Sequence, residues 1–341
     1  MTAPALIVHQ VGPGVTVQDL GRPGHLAYGL SQGGALDRLA LYEGAALLGQ
    51  SPDCAALEMI GMGGAFEVTQ PLRIALTGAP MQASLDGSPL IWNASHQLPA
   101  GSRLRIGGVT SGSVGYLHLG GGIETPPLLG ARATQLNAGL GALLTPGVRL
   151  PVGPDKGGPI GLGLDVADRV SGGVLRILPS VQTALFDAET RERLEQSQFT
   201  RDPRSNRMAL RLILDGQGFA LDGGLSVVSE VIVPGDIQIT GDGVPVILMA
   251  ECQTMGGYPR IATVLPTDLP RAAQLPVGAT LRLQFITPEE GVAALKAEQT
   301  ALADLPRKVR PLIRDPRDIP DLLSYHLSDG AITGREEETD R

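Results

Sequence analysis

Residues 98–105, L-P-A-G-S-R-L-R, return near the other end of the chain as residues 275–282, L-P-V-G-A-T-L-R. Each copy closes an apolar-rich segment with a Pro-x-Gly turn and then opens an alternating strand. Upstream, Leu72-Arg73-Ile74-Ala75-Leu76 and Val244-Pro245-Val246-Ile247-Leu248 stand at similar offsets. So do Glu58, in A-L-E-M-I, and Glu230, in S-E-V-I-V. Three features in one order point to a diverged duplication. The pattern predicts a mainly β protein of two similar β-barrels, residues 1–165 and 166–286, built from short strands at turn-limited spacing.

The composition supports this reading. A chain of 341 residues has room for two domains of ordinary size. Its 46 Gly and 27 Pro are scattered, as turns between short elements require. Hydrophobic residues make up 43% and aromatic ones only 3%, so the cores are expected to be aliphatic. Helices are few. Residues 37–48 carry apolar side chains three and four apart, with Asp37 before them and Gly49 after. Asp187 is placed to cap a short helix to Leu194, and Thr287-Pro288-Glu289-Glu290 is a capping-box sequence that predicts a helix to about Leu302. Residues 287–341 thus read as a helix and a tail. The tail's last residues are expected to be disordered, and 319–327 is apolar enough to dock. Residues 153–163 are Gly-rich but open no helix, which predicts a linker and not a phosphate loop.

Scarce aromatics and a formal charge of −8 argue against nucleic acid and anionic membranes as partners. Cys54 and Cys252 form no disulfide framework and no zinc spacing. With no basic-then-apolar leader and no apolar run long enough for a bilayer, the expected location is the cytoplasm. The five histidines show no metal spacing, and Lys occurs only at 156, 296 and 308, which leaves anion recognition to arginine.

Three constellations carry possible chemistry. In V-Q-D-L-G-R-P-G, residues 17–24, Asp19 and Arg22 make a salt bridge or an Asp-stabilised turn, or else Arg22 binds an anion that Gln18 and Asp19 orient. In R-D-P-R-S-N-R-M, residues 201–208, three arginines form either a solvated basic turn or a carboxylate site. In Q-T-M-G-G-Y-P-R, residues 253–260, two glycines lie among Glu251, Gln253, Thr254, Tyr258 and Arg260. Adjacent glycines allow a sharp turn or a close backbone approach. The acids Asp37, Glu58, Glu230 and Glu251 suit acid–base work if they are buried together.

These motifs, with G-G-A-L-D at 33–37, T-G-A at 77–79, V-P-G-D-I-Q at 233–238 and Q-T-M-G-G-Y-P-R-I-A-T-V at 253–264, resemble the biotin-dependent carboxyltransferase family. That family includes the C component of bacterial 5-oxoprolinase, KipA and the subunit 2 segment of allophanate hydrolase or urea carboxylase. The resemblance runs from about residue 5 to 286. Met255 departs from it, standing where the family has Thr, so no hydroxyl is available there. The resemblance implies cyclophilin-like barrels and a partner in the KipI-like B component of 5-oxoprolinase, with the A component as a further member of the complex. It implies ATP-dependent activation of 5-oxoproline, with ATP bound together with the partner. Its alternatives are carboxyl transfer to urea from biotin carried on another protein, and a KipA-like regulatory role. Under the first, Asp19 or Glu251 would be the base and Tyr258 with the Gly256 and Gly257 amides would donate to an oxyanion. Gln18, Arg22, Arg207, Gln253 and Arg260 would bind substrate.

Overall fold

The computed structural model describes residues 4–221 and 227–313. The N-terminal half forms two sheets. One has six strands in the order Arg149–Pro151, Ala5–Val11, Met62–Val68, Leu104–Val109, Met81–Leu85 and Ser88–Pro89. The other has seven, in the order Thr16–Gln18, Ala56–Ile60, Val114–Leu119, Leu72–Gly78, Ala94–Leu98, Leu162–Gly163 and Arg310–Pro311. Between the sheets lies an aliphatic core drawn from Leu6 through Val152. The C-terminal half closes a seven-stranded barrel: Gly173–Leu178, Arg260–Val264, Asp236–Ile239, Pro245–Leu248, Ala209–Ile213, Phe199–Arg201 and Thr280–Phe285. Closure removes the free sheet edges. A second core, Leu175 through Leu283, fills the barrel. We propose residues 1–165 and 166–286 as the units that carry these cores.

The repeated turn has the same geometry in both places. Gly101 and Gly278 sit at φ 75° and 80°, and the amides of Ser102 and Ala279 reach back to the carbonyls of Pro99 and Pro276. Each proline supplies the accepting carbonyl at the start of the turn and the glycine two residues on takes the left-handed conformation, so each turn redirects the chain into its strand.

Among the described residues four α-helices decorate the strands: α1 (Arg38–Leu48), α2 (Ala188–Gln196), α3 (Leu269–Gln274) and α4 (Pro288–Lys308). The Asp37 carboxylate caps α1, Asp187 caps α2, and the reciprocal Thr287–Glu290 box caps α4. Helix α4 continues past Leu302 to Lys308, with Pro306 in its last turn. The strand Arg310–Pro311 then joins the edge of the first half's seven-stranded sheet beside Leu162–Gly163. The described part of 287–341 therefore returns to the N-terminal half. Residues 319–327 and the chain's last residues lie outside the described ones. The expected linker at 153–163 is partly a strand, and Asp155 accepts 2.9 and 2.5 Å bonds from Arg73, so the segment is bound to the sheet.

Helix α1 covers the strands Leu72–Gly78 and Val114–Leu119, which are buried along their whole length. The fit depends on Gly44. A Cβ there would lie 2.4 Å from the ring of His118. The ring cannot yield, because it is buried and holds the Thr77 hydroxyl at 2.7 Å. That hydroxyl donates to the Ala40 carbonyl, so His118 Nε2 carries a proton and is the donor. Burial pushes the imidazole down to about 3, and it stays neutral. Gly44→Ala gains about 1 kcal/mol of helix propensity. Overpacking typically costs about 1–3 kcal/mol, and this overlap is at the severe end. The variant should therefore melt at lower temperature than the parent, a result read directly by calorimetry.

Candidate functional site: a buried ion network between the two halves

Arg207 enters the junction from the turn before the strand Ala209–Ile213. Its Nε donates to Glu251 Oε1 at 2.5 Å, its Nη1 to Glu58 Oε1, and its Nη2 to the Gly34 carbonyl at 2.6 Å. Glu58 comes from the strand Ala56–Ile60 and is fully buried. Its other oxygen accepts the Tyr116 hydroxyl at 2.7 Å and the Leu36 amide at 2.8 Å. Burial by itself would lower the Arg207 pKa, but Glu58 and Glu251 outweigh it and raise it. Burial and the neighbouring Glu58 and Asp37 hold the Tyr116 phenol well above its usual range. The phenol is therefore a fixed donor to Glu58, while its oxygen accepts the Asp37 amide at 2.9 Å.

The network continues through Asp37. Arg169 Nε donates to Asp37 Oδ2 at 2.7 Å, and its two terminal nitrogens form a fork on Glu43, each at 2.7 Å. Gln274 of α3 donates to the same Asp37 oxygen at 2.7 Å and accepts the amides of Ser113 and Val114 at 3.1 and 3.0 Å. One guanidinium serves two carboxylates here. Burial raises the Glu43 carboxyl to about 7, against the pull of Arg169 and with the push of Asp37. Beside this pair lies a cleft of about 290 Å³ between α1, α4 and residues 165–169.

The other residues singled out in the sequence fall in two further places. Gln18, Asp19 and Arg22 are buried against the segment 128–135. Gln18 Nε2 donates to the Thr134 carbonyl at 3.0 Å, while its Oε1 has no partner among the described residues. Asp19 accepts the amides of Gly21 at 2.9 Å and Arg132 at 2.6 Å, so it forms the stabilised turn and not a salt bridge to Arg22. Arg22 donates to the carbonyls of Leu128 and Ala133 and to Gln135 Oε1 at 2.9 Å; Gln135 in turn donates to Ser31 Oγ at 2.9 Å. Burial lowers the Arg22 pKa, partly offset by Asp19 and Glu251. Of the basic turn 201–208, only Arg207 enters the network: Arg201 donates to Ser113 Oγ, and Arg204 pairs with Asp202.

The turn 253–258 faces outward. Gln253 and Tyr258 are exposed, Gly256 pairs with Glu230, and the Gly257 carbonyl accepts the Val227 amide. Arg260 lies beneath, paired with Glu230 at 2.5 Å and Asp236 at 3.4 Å. Gln182 bridges Glu230 and the Arg260 amide. Gly256 allows a close approach, since a Cβ there would lie 2.6 Å from Gln238 Nε2. Asp37, Glu58 and Glu251 thus share one network, whereas Glu230 belongs to the Arg260 cluster. Tyr116, Gln135, Arg169, Gln182 and Gln274 gave no local sequence signal, because each acquires its partner from a distant segment.

Residues 28–285 match the family model described as carboxyltransferase domain, subdomain A and B. The chain belongs to this family. It is 34% identical over 298 residues to the C component of 5-oxoprolinase from Escherichia coli, covering 86% of this chain and 94% of that protein. The corresponding protein of Haemophilus influenzae is 32% identical over 298 residues, with 86% and 95% covered. Among solved structures, TTHA0988 superposes with a TM-score of 0.75 at 27% identity, covering 84% of this chain and 56% of that one. This family member therefore spans little more than half of the TTHA0988 chain. The Kluyveromyces lactis urea amidolyase shares the fold, with a TM-score of 0.79 at 22% identity over 93% of this chain and 21% of that one.

Two results should follow from the network. Arg207→Met leaves Glu58 and Glu251 buried without a cation, which should cost about 3–5 kcal/mol in chemical denaturation. Adding Glu58→Gln and Glu251→Gln should recover part of that loss. Glu43 supplies a pH dependence. Its carboxyl ionises near 4.5 in the unfolded chain and near 7 in the fold, so the folded state binds more protons between those values. Its contribution is fully present below about pH 4.5 and is lost as pH rises through about 7. Relative to the parent, Glu43→Gln should remove that downward slope from the stability–pH profile.

Proposed function

We propose that the chain is the C component of an ATP-dependent 5-oxoprolinase, which acts with the B component to activate 5-oxoproline and with the A component to open the ring to glutamate. The observation that carries this reading is co-extension. The chain covers 94% of the Escherichia coli C component but only 21% of the Kluyveromyces lactis urea amidolyase.

In this reading the substrate meets the outward turn at 253–258. Tyr258 and the amide of Gly257 donate to the lactam oxygen as negative charge builds there, Gly256 being held in the strand pair with Glu230, and Gln253 orients the ring. Arg260, fixed by Glu230 and Asp236, holds the turn in place. Arg207 and Glu251 set the position of the segment that leads into it. Gln18, Asp19 and Arg22 hold the 128–135 segment. Asp19 and Glu251 act here as positioning residues, because Asp19 binds two amides and Glu251 binds Arg207.

The described residues do not suit a nucleotide by themselves. The Gly-rich stretch 153–163 runs into a strand, and its Asp155 is spent on Arg73. The N-terminus of α1, which follows Gly33 and Gly34, is closed by the carboxylate of Asp37. ATP in this reading is held together with the B component. A second reading, carboxyl transfer from biotin on another protein, is favoured by the carboxyltransferase description of the family.

ATP turnover by the chain co-expressed with the B component tests the first reading. Stimulation by 5-oxoproline, absent without this chain, is the expected result; a stable complex with no stimulation would count against it. Tyr258→Phe should lower the stimulated turnover by about 10²-fold, as loss of an oxyanion donor does, with no change in melting temperature because the side chain is exposed.

A further inference from the structure

A cleft of about 280 Å³ opens at the junction of the two halves. Leu20, Ala35 and Leu36 of the first half line one side, and Met249 and Leu269 of the barrel half line the other. The two sides are fastened to each other. The Gly33 amide donates to the Ala250 carbonyl at 3.2 Å, and Arg207 Nη2 donates to the Gly34 carbonyl at 2.6 Å. The cavity is therefore preformed, which spares a ligand the cost of ordering its walls.

Two side chains of α1 bring polarity to these walls. Arg38 and Tyr42 stand four residues apart, so they share one face of the helix, and both line the cleft. Arg38 Nη2 bonds to Glu298 and, at 3.4 Å, to the Pro266 carbonyl. Glu298 lines the neighbouring cleft beside α4 and not this one. The Nε and Nη1 groups of Arg38 have no acceptor among the described residues, and the Tyr42 hydroxyl has no partner among them. Both side chains are half-buried, so both can be reached from solvent. Among the described residues no carboxylate lines the cleft.

We propose that this cleft binds a small monocarboxylate with a compact apolar body. Arg38 and Tyr42 hold the carboxylate, and the body lies against Leu36, Met249 and Leu269. The chemistry of the lining selects that class. Free guanidinium donors match a carboxylate, and a phenol beside them adds one more donor. A cation would meet Arg38 with no acid to balance it. A phosphate or dicarboxylate would bring two charges to a single arginine already shared with Glu298. The remaining walls are apolar and favour an apolar body. Gly257, Tyr258 and Arg260 do not line the cleft, so the site is separate from the outward turn and stands without the 5-oxoprolinase reading.

The test is titration calorimetry of the full-length chain with cyclopentanecarboxylate, and with cyclopentanecarboxamide as its neutral counterpart. The acid should bind saturably, and the amide about tenfold or more weakly, as loss of a charge-assisted bond implies. Arg38→Gln should weaken the acid by the same factor, and Tyr42→Phe by roughly fivefold. Arg38→Gln also breaks the ion pair with Glu298, so Glu298→Gln is the control. It breaks the same pair, keeps the guanidinium, and should bind the acid at least as tightly as the parent. No binding by the parent, equal binding of acid and amide, or unchanged affinity in Arg38→Gln overturns the proposal. Equal weakening in Arg38→Gln and Glu298→Gln also overturns it, since the pair would then matter only for seating α4. Cyclopentanecarboxylate has no lactam to open, so this result is read apart from the ATP-turnover experiment.

Discussion

The guanidinium of Arg207, shared between Glu58 and Glu251, is the constraint on which the junction depends. Glu58 belongs to the first half's sheet; Arg207 and Glu251 flank strands of the barrel. Each half has its own apolar core, the second including Phe186, Phe199 and Phe219, and Leu36 of the first half packs against the second. Apolar packing is non-directional, so two greasy faces can slide. A buried guanidinium with three acceptors at fixed angles cannot. Its net contribution to stability is modest, because desolvation consumes most of the Coulombic gain. Its value lies in the cost of any arrangement that leaves one of these charges without a partner.

Charge balance in the junction supports this view. Two arginines, Arg207 and Arg169, face four carboxylates: Glu58, Glu251, Asp37 and Glu43. The carboxylates gain further donors: the Tyr116 phenol donates to Glu58, and both terminal nitrogens of Arg169 donate to Glu43. Gln274 adds a neutral donor to Asp37 and ties α3 to the strand Val114–Leu119. The outward turn at 253–258 follows directly from Glu251, so the junction also sets where the exposed Tyr258 and Gln253 stand.

Much of the architecture was legible in the sequence. The repeated Pro-x-Gly turn works through local dihedral chemistry, so both copies formed the expected turn and strand. Asp37, Asp187 and Thr287 announced helix starts because capping is local. Helix ends were less legible: α4 passes its expected end because Leu305 packs with Leu47 and Leu48, a contact made only in the fold. Helix α3 was missed because six residues carry too little periodicity to read. Among the site residues, the sequence identified groups but not their partners. Asp19 and Arg22 looked like a pair and instead hold one loop from two sides. Arg169 and Gln274 lie far along the chain from Asp37, and nothing local marks them.

If the ion network couples the halves, the folded chain should behave as one cooperative unit. Differential scanning calorimetry tests this most directly. A single transition, with calorimetric and van't Hoff enthalpies equal, is the result this view requires. Two resolved transitions in the unmodified protein would contradict it, since each core would then melt without regard to the charges between them.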